Sequence, residues 1–281
     1  MSKKKSKYLI ETSAIPPALG VTTPAYTSYF QDEVTGGSLF SSVYIRKEFL
    51  RRWICDCIRV ALTLNQCDCW ADALVHLEQD FGRKPKGTLD VVQHLLRRTG
   101  SINSSDAAAE EVGVLAWKWL KLFDRRFESK INNKSKCQIG GREMNLDGNN
   151  LLADLYAFYV EFQKPILDCE IHDLLDFGNA RGIASVILAD PNAQKCDSVR
   201  NLQELATNNT HVTCRECARI GDAVIALEQP PSWSLVHVDK AFNPICDAVQ
   251  KEHKHIKSLK AVEKIDLNPQ GGNAESQTQP Q

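Results

Sequence analysis

Four carboxylates in four separated segments carry most of the chemistry legible in this chain: Glu11 in YLIETSAI, Glu48 in SVYIRKEFLRR, Asp222 in GDAVIAL and Asp239 in SLVHVDKAF. Glu11 and Asp239 end short apolar runs, and Glu48 and Asp222 fall on segments of helical spacing. A parallel sheet would gather all four at one edge, where hard divalent cations such as Mg2+ or Mn2+ would hold them together. Without a cation, packed carboxylates raise one another's pKa, so this donor set points to an ion. The chemistry open to it is phosphodiester hydrolysis by a metal-activated water. Thr12 and Ser13, next to Glu11, offer hydroxyls to hold a carboxylate or that water.

Each acid also has a plainer reading. Glu48 has Arg51 and Arg52 three and four residues on, the spacing of a surface salt bridge. Asp222 opens a helix and could serve as its cap or dipole partner. Asp239 follows a strand, as turn residues do. The pairing of Asp222 and Asp239 favours a joint role: a helix-opening Asp, the turn at Pro230-Pro231 and then a strand ending in Asp follow within seventeen residues.

The cysteines suggest a second constellation. Cys214 and Cys217 form a CxxC, with Cys196 eighteen residues earlier and Cys169 and His172 as C-x-x-H before that. Four of the five would complete a tetrahedral structural zinc, with Cys169, Cys196, Cys214 and Cys217 the expected set and His172 the substitute. Buried thiols and a surface CxxC are the alternative. Cys55, Cys57, Cys67 and Cys69 stand in CxC pairs, whose members point apart on a helix, and read as core residues.

The elements that must position these groups are readable in part. Residues 8 to 15 read as a strand up to Glu11, broken by Pro16-Pro17. After Gly36-Gly37, residues 39 to 61 read as a helix with Ser41 and Ser42 available as caps. Apolar i, i+3, i+4 spacing predicts helices over 70–81, 89–98, 107–127 and 151–162. Residues 184–189 (ASVILA) are a buried-strand candidate, 198–208 and 220–227 helices, 234–238 a strand, and 242–251 the start of a closing helix. From 266 to 281 the composition turns to Gln, Gly, Asn, Ser and Pro, expected to be a disordered tail.

With 281 residues, 43% hydrophobic and 25% charged, the chain has ordinary globular composition and length for a large core. No run approaches the roughly 18 apolar residues of a membrane span. The start MSKKKSK lacks the apolar region of an export signal, and ten cysteines in such a chain fit a reducing compartment, so a cytoplasmic location is expected. The net charge of −1 excludes a global basic field; the local clusters Lys3, Lys4, Lys5 and Lys7, Arg51-Arg52, Arg97-Arg98 and residues 125–136 could contact phosphates, although solvated helix faces and a frayed terminus are the plainer and preferred reading of each.

Taken together, strand one ending Glu11-Thr12-Ser13, Glu48 on the first long helix, helix-opening Asp222, and Asp239 with Phe242 three further on resemble the PIN domain. This is a family of magnesium- or manganese-dependent nucleases that includes the toxin ribonucleases of toxin-antitoxin modules. The likeness covers about residues 7 to 53 and 180 to 250. It implies an α/β, PIN-like three-layer fold with a central parallel sheet and a discontinuous core at 7–61 and 166–258; the helical block at 62–165 then reads as an insertion, and the zinc-binding element suggested by the cysteines falls within the core at 169–217. It further implies a metal-dependent endoribonuclease in which Glu11, Glu48, Asp222 and Asp239 are catalytic and bind Mg2+ or Mn2+. The implied partners are an RNA substrate, a cognate antitoxin protein and a second copy of the chain in a homodimer, with no membrane. The family's first strand normally ends in Asp-Thr or Asp-Ser; Glu11 adds a methylene and shifts the carboxylate by about an ångström, which two-metal geometry tolerates poorly. Two other readings stay open: a catalytically inactive PIN-like RNA-binding or assembly module, and a zinc-organised regulatory protein whose helical block binds another protein.

Overall fold

The computed structural model describes residues 6–68, 70–81, 105–127, 130–131, 133–146, 150–164, 166, 171–176, 183–208 and 213–258. The expected helix at 89–98, the tail at 266–281, Lys3, Lys4, Lys5, Cys69 and Cys169 lie outside them, as do the side chains of His172 and Cys214.

The protein is α/β, built on a parallel five-stranded sheet of order β3-β2-β1-β4-β5. The strands are β1 (Lys7–Ile10), β2 (Ser38–Ser42), β3 (Lys130–Ile131), β4 (Ser234–His237) and β5 (His253–His255). The order reverses at β1, with β2 on one side and β4 on the other, which makes the carboxyl ends of β1 and β4 the topological switch point. Ligands of open α/β sheets bind in the crevice at such a point. Leu9, Ile10, Leu235 and Val236 fill the sheet centre with no exposed surface, as the near-continuous apolar runs of parallel strands require.

The β1–β2 crossover contains α1 (Ile15–Leu19) and α2 (Pro24–Glu33). The proline pair expected to break regular structure begins α1 instead, since a proline in the first turn forfeits no helical hydrogen bond. Gly20, at φ 73°, ends that helix in the left-handed conformation. β2 occupies the beginning of the segment read as one helix from residue 39. Its SLFSS sequence has little strand character of its own, and pairing with β1 decides its conformation.

From Ser42 the chain runs through α3 (Val43–Phe49), one π-helical stretch (Leu50–Ile54) and α4 (Cys55–Gln66). Ser42 caps α3, accepting from the Ile45 amide at 3.1 Å, and its hydroxyl donates to Glu228 at 2.5 Å. We expect Ser42→Ala to cost about 1–2 kcal/mol, because it orphans a cap amide and takes a donor from a buried carboxylate. The urea midpoint should fall with the slope unchanged.

On one side of the molecule α4 packs against α5 (Trp70–Phe81), α6 (Ser105–Arg126) and α7 (Leu151–Gln163). Phe49 stacks on Phe123 at 5.1 Å, and Phe127 packs tilted against Phe123 at 4.9 Å. The described part of 62–165 is bonded to the sheet system: β3 pairs with β2, and buried Arg46 forks onto Asp124 at 2.8 and 3.1 Å while donating to the Gly140 and Arg142 carbonyls. Gly140 lies so close to α3 that a Cβ there would fall 1.9 Å from the Val43 carbonyl oxygen.

The returning half contains α8 (Ile171–Leu175), α9 (Ile183–Ala189), α10 (Asp197–Asn208), α11 (Cys214–Arg219), α12 (Gly221–Glu228) and α13 (Phe242–Ala248). The strand expected at 184–189 is thus helix α9. Its Ala184 and Ile187 are buried three residues apart while Val186 is 42% exposed, a helical face that a six-residue apolar run does not distinguish from a strand. Asp190 ends it by accepting from the Asn192 and Ala193 amides, both at 2.8 Å. Among the described residues no helix is long and apolar enough to cross a membrane.

Candidate acidic site at the switch point

Glu11 directly follows β1, its amide extending the ladder to the Val236 carbonyl at 2.9 Å. Asp239 lies two residues beyond β4 and Asp222 in the first turn of α12, while Glu48 is near the end of α3. Glu11 and Glu48 are almost fully buried, at 2% and 1% exposure; Asp222 is half-buried and Asp239 exposed.

The four are linked electrostatically through Asp222: Glu48 and Asp222 act on Glu11, and Glu48 and Asp239 act on Asp222. Burial first, then Glu48 and Asp222, push the Glu11 carboxyl up to about 8, against hydrogen bonds from Ser13. Asp222 is pushed up to about 6 by burial and then by Glu48 and Asp239, with Arg52 and the Ser198 hydroxyl acting in the opposite sense. At neutral pH Glu11 therefore carries its proton, the response expected of crowded carboxylates that lack a compensating cation. Among the described residues no three His, Cys, Asp or Glu side chains are drawn in to metal-ligating distance. The acids are grouped but not closed.

Short-range contacts fix each group. Thr12 donates to Glu48 Oε2 at 3.0 Å, and Arg51 Nη2 stands 3.7 Å from its Oε1. Gly221 leaves room for the Glu48 carboxylate, since a Cβ there would meet Oε1 at 2.2 Å and displace it. Ser13 donates both its amide, at 2.8 Å, and its hydroxyl to Glu11 Oε2, and that hydroxyl accepts from the Val238 amide at 3.1 Å. One serine thus ties the end of β1 to the end of β4. Asp239 accepts from the Ala241 amide at 2.9 Å. Asp222 is not the cap of α12, since Ile220 holds that position without a side-chain bond.

No protein-family model, curated protein or solved structure matches this chain. Its function must be read from the site itself.

Three neighbours were not legible as site residues. Ser198, buried at the start of α10, sets its hydroxyl toward Asp222 and opposes the rise of that carboxyl. His237 is fully buried, with Nδ1 2.7 Å from the Asp239 carbonyl and Nε2 3.2 Å from His253 Nδ1; burial lowers its pKa to about 4 and keeps it neutral. Lys47 is buried beside Glu48 in sequence, donating to Cys217 Sγ at 3.1 Å and standing over the Tyr44 ring. The first two depend on long-range packing, and Lys47 reads as a solvated helix charge until Cys217 is seen against it.

Of the expected zinc ligands, Cys196 and Cys217 have described side chains, and their neighbours differ. Cys196 Sγ approaches the Ala241 carbonyl at 3.4 Å and its thiol is raised by burial and by Asp222 and Asp239. Cys217 faces Lys47 and the Tyr44 hydroxyl. Cys55 and Cys57 are buried free thiols, with burial pushing Cys57 up to about 12.

Proposed function

We propose that this chain is a PIN-like, magnesium- or manganese-dependent endoribonuclease. One observation carries the reading: Glu11, Glu48, Asp222 and Asp239, from four segments, are grouped near the sheet's switch point closely enough that two of them, Glu11 and Asp222, are raised well above normal carboxylate pKa values. Ionising that group costs free energy that a divalent cation would offset, and oxygen donors are the set Mg2+ and Mn2+ prefer. The Ser198 hydroxyl adds a further oxygen beside Asp222. A bound cation would supply charge stabilisation at the phosphate and a water acidified toward neutral pH.

The residues have distinct tasks. Thr12 fixes the Glu48 carboxylate, and Ser13 orients Glu11. Exposed Asp239 and half-buried Asp222 face the side from which a strand enters, and Arg52, acting on Asp222, offers positive charge near the phosphate. The switch point gives access to an extended strand without a deep cavity.

One observation favours the catalytically inactive RNA-binding reading. Glu11 Oε2 already caps the short 3-10 turn at Thr12–Ala14 through Ser13, a structural task sufficient to retain it. Manganese-dependent cleavage of a mixed RNA pool separates the two. Asp239→Asn should reduce cleavage at least about tenfold, since it removes one hard anionic donor and little packing. Equal activity in wild type and variant would sink the nuclease reading. The toxin reading adds an antitoxin protein as partner and a homodimer as assembly, tested by co-expression with the neighbouring reading frame and by sedimentation.

A further inference from the structure

Beside the acidic site lies a cavity of about 610 Å³ whose lining includes four cations, Lys47, Arg51, Arg215 and Arg219, together with Phe162 and Gln163. Among the described residues no carboxylate lines it. Its volume is within the range of sites that enclose a ligand the size of a nucleotide. Lys47 and Arg51 stand four residues apart at the junction of α3 with the π-helical stretch, and Glu48 lies between them in sequence. The same helical segment therefore gives its carboxylate to the acidic site and its cations to the cavity. Arg51 spans the two: it lines the cavity while its Nη2 is 3.7 Å from Glu48 Oε1, and its buried Nε has no hydrogen-bond partner among the described residues.

Opposite, α11 contributes Arg215 and Arg219, one turn apart and both exposed. Arg219 makes a loose ion pair with Glu204 at 3.6 Å and acts on Glu216. Local acids are otherwise engaged, Glu216 with the Thr213 amide in the capping box of α11. Lys47, at 3% exposure, keeps its ammonium against Cys217 at the cavity wall. Four cations around a space much larger than one phosphate, with an aromatic wall and an amide, match a phosphate-sugar-base unit better than a small anion.

We infer that this cavity holds a nucleotide of single-stranded RNA next to the scissile phosphate, Arg51, Arg215 and Arg219 gripping its phosphates, Lys47 adding positive charge from the wall, and Phe162 and Gln163 facing sugar or base. The inference rests on the nuclease reading for the position of cleavage, but binding through the cavity does not require cleavage.

Anisotropy of a fluorescein-labelled 15-nucleotide single-stranded RNA, titrated with full-length protein in EDTA at several salt concentrations, tests it. Arg215→Glu/Arg219→Glu alters only exposed positions, and its melting curve checks the fold. Affinity should fall at least about tenfold and the salt dependence of log K should flatten by about 1.4, two phosphate contacts at about 0.7 each. Wild-type affinity and slope in the double variant, or no RNA binding by the wild type, would overturn the inference. Cavity-dependent binding without manganese-dependent cleavage would support the cavity and overturn the nuclease reading alone.

Discussion

Glu11→Gln should make the metal-free protein more stable while abolishing cleavage. The folded carboxyl titrates at about 8 against an ordinary 4.5, because burial and then Glu48 oppose its charge. Between these values the unfolded chain has lost a proton that the folded protein retains, so stability falls as pH rises across the window, by about 3 kcal/mol at pH 7. Glutamine keeps an oxygen for Ser13 and has no charge to suppress. In EDTA at pH 7 the variant should melt about 5–10 °C higher than wild type. The comparison is cleanest between pH 6.5 and 8. Below that, His237, lowered to about 4, and Asp222, raised to about 6, titrate as well. His237 pulls the other way, since its contribution is present above pH 6.5 and lost as pH falls toward 4.

Manganese should reverse the ranking. A cation that binds only the folded state adds stability by mass action, and in wild type part of that free energy ionises Glu11. Wild type should therefore gain more from Mn2+ as pH rises from 6.5 to 8, with proton release measurable in weakly buffered titrations. The Gln variant should lose most of this response together with activity. A variant no more stable than wild type, and still stabilised by Mn2+ to the same extent, would show that Glu11 neither suffers the repulsion described nor serves the cation.

What was legible follows a physical division. The acids were legible because their local grammar is local: Asp222 opens a helix, and Asp239 closes an apolar strand after a proline-marked turn. Helices α5, α6 and α7 were legible because each carries an uninterrupted apolar stripe. β2, β5 and helix α9 were not. SLFSS and HKH become strands only through β1 and β4, and ASVILA lacks the length to reveal its period. The hydroxyls escaped for a related reason: Thr12 and Ser13 could be suspected from position, but that Thr12 serves Glu48, 36 residues away, is a tertiary fact. The cations on α3 and α11 lie far apart in the chain and come to face one cavity only when α11 folds against α3.

Gly221 offers the sharpest test of how closely the site is tuned. Nothing in its backbone demands glycine, and in α12 alanine should be preferred by about 1 kcal/mol. The constraint is Glu48: a Cβ at residue 221 would meet Oε1 at 2.2 Å and Cδ at 3.1 Å. The carboxylate end is the part able to yield, since the rest of the residue is packed in α3 and Thr12 holds Oε2. Overpacking costs about 1–3 kcal/mol, so Gly221→Ala should change stability by no more than about 2 kcal/mol. Activity is far less forgiving. Displacing Glu48 by about an ångström should lower kcat about 100-fold while RNA binding in EDTA, which uses the cavity cations, stays within about twofold. Shortening the clashing partner in Gly221→Ala/Glu48→Asp should restore part of kcat, a rescue that general destabilisation would not produce. Full activity in Gly221→Ala would mean that the Glu48 carboxylate need not be held where Thr12 and Gly221 now confine it.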